Sequence, residues 1–275
     1  MIERLTSYDA CAGFAAGFAG DPEYSDPMLS SAEEIECNLK KAFGQPDEPA
    51  WGVFRDGVLT GLFVFLLLEE ERYMEMLVGL SREDAAYEEL ACFLEKEYPG
   101  YQADFVFNPE NRKLYSMLEK RGAHFDTEQQ KMVLKRDEGT VDTLGVLLCP
   151  EEYHGQYVDI HEKDVYWTGD RVLGEPERFN AFVAVENGEV IGYIDVTKHH
   201  EENEVFGLFV RGSSRSKGWG RKLLSKAIET NRPKGLMLTV DIDNAHAIAL
   251  YESAGFEKTP GANSLTANWH ISRGS

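Results

Sequence analysis

The chain repeats itself, and that repeat constrains its fold more than any other feature. Asn111 through Gly122 aligns without a gap on Asn244 through Gly255, placing Asn on Asn, Glu119 on Glu252 and Gly122 on Gly255. Upstream, Trp51–Gly61 resembles Ala181–Gly192, each an apolar run, an Asp-Gly or Asn-Gly pair, then a second apolar run. Such a pair between β-prone runs signals a tight hairpin, because both turn residues must take positive φ. A recurring series of elements in a chain of 275 residues implies two domains of one plan rather than one large sheet protein.

The element order fits. The first half reads as a strand at Ile2–Leu5, helices at Asp9–Phe18 and Ser31–Phe43, and strands at Trp51–Arg55, Leu59–Leu68 and Arg72–Leu80. A helix at Arg82–Lys96, a strand at Tyr101–Phe107, a helix at Glu110–Arg121 and a strand at His124–Lys135 complete it. The second half reads as a strand at Thr143–Cys149, a helical region to Glu177, and strands at Ala181–Val185, Val190–Lys198 and Glu204–Val210. There follow a helix at Gly218–Asn231, a strand at Leu236–Asp241, a helix at Asn244–Ala254 and a strand at Ser264–Ile271. The polar stretch 136–140 sets the boundary, giving domains 1–138 and 139–275. The fold class is α/β of the α+β type, each domain a mixed, mostly antiparallel sheet flanked by helices.

The halves differ at one junction. In the second, Leu208-Phe209-Val210 runs into Arg211–Gly220, a basic glycine loop opening a helix. Free N–H groups and the positive dipole end at a helix start favour a phosphate, and Arg215, Lys217, Arg221 and Lys222 add charge. In the first half Leu80 passes almost directly into Ser81-Arg82-Glu83-Asp84, where Ser81 reads as a helix N-cap and acidic residues hold the turn. Leu118 stands where the second half has Tyr251. Tyr115 lies one turn earlier, at a different height on that helix.

Arg215-Ser216-Lys217-Gly218-Trp219-Gly220, followed by Asn244 and by Tyr251, Gly255 and Phe256, resembles the GCN5-related N-acetyltransferase (GNAT) superfamily. That family's hallmark is an Arg/Gln-x-x-Gly-x-Gly/Ala loop and a later helix of Asn…Tyr-x-x-x-Gly-Phe form. Trp219 departs from the small or aliphatic residue usual in the loop; it either covers the loop–helix junction or narrows the space near the cofactor. The resemblance implies acetyl-CoA as co-substrate, bound in the second half, and a degenerate first half. The backbone of residues 215–221 (Arg215, Ser216, Lys217, Gly218, Trp219, Gly220, Arg221) would hold the pyrophosphate. Leu208, Phe209 and Val210 would pair with the pantetheine arm as an added strand, and a backbone N–H near Leu208 would face the thioester carbonyl. Asn244 would bond the arm, and Tyr251 would protonate the leaving thiolate. Taken alone, Tyr251 reads as a packed helical tyrosine and Asn244 as a helix cap.

For the base that deprotonates the acceptor, family placement points to Glu204, directly or through water; His199 and His200 have suitable unperturbed pKa values, and a solvated turn is the plain alternative. Tyr153–Tyr157 and the segment 167–170 fall where the family shapes its acceptor site, with Glu151, Glu152, Asp164 and Asp170 suited to an amine or simply exposed.

The formal charge is −20, from 28 Lys+Arg and 48 Asp+Glu. That argues against nucleic acid as partner, aminoacyl-tRNA included, and suits a small cationic amine. Residues 1–138 carry 14 basic and 28 acidic side chains against 14 and 20 in residues 139–275, so the half with the loop is the less acidic. The four cysteines have no metal-ligand spacing and read as reduced thiols of a cytoplasmic protein. No metal is expected. The longest apolar run, Leu62–Leu68, is too short to span a membrane, so no membrane partner is expected. The leading expectation is an N-acetyltransferase; the alternative is a non-catalytic acetyl-CoA-binding or regulatory protein of the same fold.

Overall fold

The computed structural model describes residues 1–24, 31–135, 141–163, 165 and 167–273. The expected linker 136–140 and Asp164 lie outside the described residues. The chain forms two compact units, 1–129 with 260–275, and 130–259.

The first unit holds strands β1 (Ile2–Arg4), β2 (Ala50–Arg55), β3 (Val58–Leu68), β4 (Tyr73–Leu80), β5 (Gln102–Phe107) and β6 (His124–Phe125), with helices α1 (Ala12–Ala16), α2 (Ala32–Ala42), α3 (Asp84–Glu97) and α4 (Arg112–Lys120). β1 to β4 pair antiparallel in sequence order, and β4 pairs parallel with β5. The β2–β3 turn is the expected hairpin: Asp56 and Gly57 have φ of 50° and 78°, the twist that matches two right-twisted strands. Helix α2 starts on a capping box in which the Ser31 side chain accepts from Glu34 N and Glu34 accepts from Ser31 N. One sheet face buries Phe63, Phe65, Met74 and Met76 against α3 and α4; the other buries Leu62, Val64, Val78 and Leu80 against α1 and α2.

The second unit holds β7 (Gln129–Leu134), β8 (Val146–Leu148), α5 (His154–Ile160), α6 (Gly169–Gly174), β9 (Phe179–Glu186), β10 (Glu189–Thr197), β11 (Glu202–Val210), α7 (Trp219–Asn231), β12 (Gly235–Asp241), α8 (Ala245–Ser253) and the start of β13 (Phe256–His270). β8 to β11 pair antiparallel in order, β11 pairs parallel with β12, and β7 lies next to β12. Asn187 and Gly188 repeat the hairpin turn with φ of 52° and 82°. Helices α7 and α8 cover the face that carries Phe182, Ile194 and Val205; α5 and α6 cover the face that carries Val183, Val190 and Tyr193.

Several expectations are corrected. The long first helix is a 3₁₀ turn at Tyr8–Ala10 followed by only five residues of α1. The strand expected at His124–Lys135 is broken into β6 and β7, and β13 starts well before Ser264. Ser81 does not cap α3. Glu83 is the N-cap residue, while Ser81 is buried, donating to Thr60 O at 2.8 Å and accepting from Glu83 N at 3.0 Å. The units divide at 129/130, not 138/139. Residues Leu265–His270 of β13 pair with β5, so the last strand of the sequence completes the first unit while β7 serves the second.

Candidate functional site

The site begins with a ladder that stops. β11 and β12 pair at Glu202–Gly235, Asn203–Leu236 and Glu204–Met237. Among the described residues their pairing ends there, although β11 continues to Val210 and β12 to Asp241. The cause is local. The β10–β11 register shifts between the Asp195–Gly207 and Val196–Val205 pairs, which leaves Phe206 as an extra residue in β11. A bulge bends and overtwists its strand, so β11 turns away from its parallel neighbour just above Glu204. The edge of β11 from Val205 to Val210, carrying Leu208, Phe209 and Val210, is therefore not paired with β12, and such an edge suits an added extended chain.

At the top of this edge lies the loop 211–218. It contains a 3₁₀ turn at Gly212–Ser214, then Ser216 at φ 60° and Gly218 at φ 85°. Gly218 is the N-cap of α7 in a left-handed conformation that costs other residues energy, and no side chain caps the helix. The first backbone N–H groups of α7 accordingly have no acceptor within the helix, and they come from Trp219, Gly220 and Arg221. The Arg215 Nε donates to Val210 O at 3.0 Å and the Arg221 Nη1 to Ser253 Oγ at 2.5 Å; Lys217 is exposed. Lys222 does not add to the loop. Its Nζ faces Asp142 at 3.3 Å and Leu144 O at 3.2 Å. Trp219 is partly buried with the α7 core and lies so close to Gly145 that a Cβ there would sit 2.9 Å from the indole, which favours the covering reading.

Asn244 is the N-cap of α8, its Oδ1 accepting from Ala247 N at 3.1 Å. Both readings of this residue are compatible: the cap uses Oδ1, and the Nδ2 donors are exposed. Tyr251, in the last turn of α8, is 7 % exposed. Burial pushes its phenol up to about 12. Glu204 is half-buried at the last paired position, with its N–H on Thr197 Oγ1 at 2.8 Å. Burial raises its carboxyl above the usual carboxylate range, opposed by the charge of Lys131. His199 and His200 are exposed in the β10–β11 turn, where His199 approaches Glu177 at 3.8 Å. Glu151 and Glu152 sit in an exposed 3₁₀ turn before α5. Asp170 joins Asp159, His154 and Leu173 around an open cavity of about 400 Å³ between α5 and α6.

The first unit shows the same frame closed. Its β4–β5 ladder also ends early, at Met76–Phe105, beside a register shift that leaves Leu77 unpaired. Only residues 81–83 separate β4 from α3. Asn111 caps α4 as Asn244 caps α8, but its Nδ2 donates to Tyr87 Oη at 3.0 Å, and that hydroxyl donates to Ser81 O at 3.1 Å. All three residues are buried. Leu118 holds the position of Tyr251 on its helix and is fully buried in the core.

One group escaped the sequence reading. Asp195, His161 and Tyr157 form a buried hydrogen-bonded cluster in the second unit. Its members lie far apart in sequence, and no local spacing marks them.

Residues 145–256 match the acetyltransferase (GNAT) family. The [ribosomal protein bS18]-alanine N-acetyltransferase of Escherichia coli is 34% identical over 123 residues, which cover 43% of this chain and 81% of that protein. The mycothiol acetyltransferase of Streptomyces coelicolor is 38% identical over 80 residues, 27% of this chain; the chain spans about a quarter of that relative's length, 26%. A solved GCN5-related N-acetyltransferase from Sphaerobacter thermophilus shares the fold across 100% of this chain and 97% of its own, with a TM-score of 0.70 and 15% identity. The chain belongs to the GNAT family, with the family match in its second half, and its likeness of fold to solved GNAT proteins extends over the whole chain.

Proposed function

We propose that the second unit is an acetyl-CoA-dependent N-acetyltransferase acting on a primary amine of a small, cationic acceptor. The observation that carries this reading is the uncapped start of α7 in a basic loop, set at the end of the stretch of β11 that β12 leaves unpaired. The free edge of β11 suits a pantetheine arm, and the loop 215–221 suits a pyrophosphate. Asn244 Nδ2 is available to an acceptor on the arm.

Acetyl-CoA supplies the activated acetyl thioester. Glu204 takes the proton that the acceptor ammonium must lose before attack; its raised pKa brings it closer to that task than an ordinary carboxylate. A backbone N–H near Leu208 would stabilise charge on the thioester oxygen. As the new C–N bond forms and the C–S bond breaks, the Tyr251 hydroxyl gives its proton to sulfur. It regains one, through solvent, from the proton shed by nitrogen. Its raised pKa keeps this phenol protonated throughout the neutral range.

The relatives are named for acetylation of mycothiol and of an alanine of ribosomal protein bS18, and the acceptor here is inferred from charge, not from them. Isothermal titration with CoA should give one site per chain. A CoA-release assay over cationic, neutral and acidic amines should then show turnover. Binding with no turnover on any amine would favour the non-catalytic, regulatory reading; two equivalent CoA sites would refute the assignment to one unit.

A further inference from the structure

The buried cluster of the second unit lies on the face of β10 that α5 and α6 cover. Asp195 is 0 % exposed and His161 6 %. The Tyr157 hydroxyl donates to Asp195 Oδ1 at 2.9 Å, and His161 Nε2 lies 3.0 Å from Asp195 Oδ2. The other ring nitrogen, Nδ1, lies 3.2 Å from the Glu162 carbonyl, which can only accept. Nδ1 therefore carries a hydrogen, and a second proton must sit between Nε2 and Oδ2, where two lone pairs would otherwise oppose each other. The pair holds one shared proton and is neutral as a whole.

The cluster touches every element that frames the acceptor side. The His161 ring stacks on Tyr193 (4.6 Å, 14°), and Tyr193 on Phe209 of β11 (5.8 Å, 27°). Gly169, the first residue of α6, closes over the imidazole so tightly that a Cβ would meet His161 Cβ at 3.0 Å. Opposite Asp195, just past the bulge, is Gly207, where a Cβ would lie 3.5 Å from Oδ2.

The fold itself does not require this polarity, and the chain contains the control. Aligning the two bulges puts Asp195 on Val64, Gly207 on Val78 and Tyr193 on Leu62. In the first unit those three residues pack as ordinary core against α1 and α2. A buried ion pair is no more stabilising than apolar residues of similar volume, and often less. The polar version occurs in the unit that has the loop, the open cleft and Tyr251.

We propose that Tyr157, Asp195 and His161 are positioning residues of the acetyl-transfer site: the proton shared by His161 and Asp195 clamps α5 and α6 to the bulged end of β11, and acceptor use depends on it. This rests on the reading of the second unit as a transferase. The groups facing the pair are Tyr157 from α5, Tyr193 from β10, Glu162 from the α5–α6 connection and Cys149 from the segment before α5; α6 and β11 contribute the uncharged Gly169, Gly207 and Phe209. Burial opposes a charge on His161, but the bonds to Asp195 and to the Glu162 carbonyl outweigh it and raise its pKa. Burial also raises Asp195 against the pull of His161. The His161 shift makes the folded pair hold its shared proton more tightly than the unfolded chain does. Its contribution is thus complete below the ordinary histidine value of about 6.5 and is lost as pH rises through the higher folded value.

The test uses the full chain labelled with ¹⁵N-histidine, wild type, Asp195→Asn and the milder Tyr157→Phe. We expect His161 to keep the imidazolium signature to higher pH than the exposed histidines, and Asp195→Asn to abolish that difference. Hydrogen exchange across 154–174 should accelerate in Asp195→Asn. CoA affinity by titration should stay within about twofold, while kcat/KM for the best amine of a spermidine, lysine and glutamate panel falls about tenfold or more and loses its alkaline limb. Tyr157→Phe, which keeps the ion pair, should fall between. If Asp195→Asn does not fold, Tyr157→Phe decides: unchanged exchange and an unchanged pH profile overturn the proposal. A His161 that titrates with the exposed histidines, or full transfer by Asp195→Asn at every pH, also overturns it. A wild-type chain that shows the His161 signature and binds CoA yet acetylates no amine refutes the transferase reading, and the positioning role with it.

Discussion

Replacing Tyr251 by Phe removes one oxygen from a side chain that is 7 % exposed, and the structure sets the size of each consequence. The ring packs with Phe256 at 6.0 Å and lies in the α7–α8 core, contacts that Phe retains. The stability change should therefore fall within the range of about 0.5–1.5 kcal/mol assigned to a single hydroxyl's interactions. CoA affinity should stay within about twofold, since the loop and the β11 edge supply the binding groups. The loss should appear in kcat. If the hydroxyl delivers the proton, its absence leaves a thiolate to depart unprotonated, and kcat should fall by about 10² or more, or roughly 2.7 kcal/mol. The pH profile adds an independent check. A phenol at about 12 does not ionise between pH 6 and 10, so no alkaline limb in that range belongs to Tyr251. The same shift makes proton delivery to a free thiolate about 2.7 kcal/mol harder than for an unperturbed phenol two units lower; transfer must therefore accompany C–S cleavage, when charge on sulfur is developing in the cleft. The assay is steady-state CoA release with paired CoA titrations and thermal melts of both proteins. Equal kcat for wild type and Tyr251→Phe, or a loss of kcat matched by a lower melting temperature, would refute this reasoning.

Gly218→Ala meets no atom within 4 Å of the new Cβ but must hold φ at 85°, so its cost of about 1–2 kcal/mol is conformational; CoA affinity should weaken about tenfold in titration, while a Gly57→Ala control at the first hairpin leaves it unchanged. Tyr87→Phe leaves Asn111 Nδ2 and Ser81 O without a buried partner, which should destabilise the chain by about 1–3 kcal/mol in urea denaturation with CoA affinity untouched. The acidic groups of the acceptor side and the charge of −20 should make KM for a cationic amine rise when salt is raised about tenfold, which shortens the Debye length about threefold, and disfavour glutamate-like acceptors; a salt-independent KM would contradict electrostatic recruitment.

Features written in consecutive residues were legible. The Asp-Gly and Asn-Gly turns and the Asn244 cap depend on local backbone geometry, and each lies where its spacing puts it. The loop before α7 was readable for the same reason. What the sequence hid is non-local. Ser81 has cap chemistry, but tertiary packing turned its hydroxyl to Thr60 O, and Glu83 took the boundary. Lys222 sits in the basic run, yet a helix directs side chains around its axis, and this one faces Asp142. The partner of the final strand could not be read from its apolar alternation, which fixes its faces but not its neighbour. Asp195 looked like one polar residue in a strand because the residues that satisfy it come from α5 and the turn after it.

The two units together narrow down what the site requires. Counting from the bulges, Glu75 stands where Glu204 stands, half-buried and also raised above the ordinary carboxylate range by burial, with Asp104 adding to the effect. A carboxylate at that position therefore occurs in a unit without the loop, and burial at the last paired residues of the ladder accounts for its raised pKa without any chemistry. The early end of the parallel ladder and the asparagine cap recur as well, so they too belong to the frame. Three differences remain: an eight-residue loop at 211–218 against three residues at 81–83, Tyr251 against Leu118, and the ionisable Asp195–His161 pair where the first unit packs apolar residues around Val64. The first unit also fills its frame from within, through Tyr87 bonded to Asn111. Function in this chain is thus to be sought where the repeat is broken. Of the candidate residues, Tyr251 and the loop stand on such differences, while Glu204 stands on position alone, and a carboxylate shared with the first unit is the assignment that mutation of Glu204 beside Glu75 must decide.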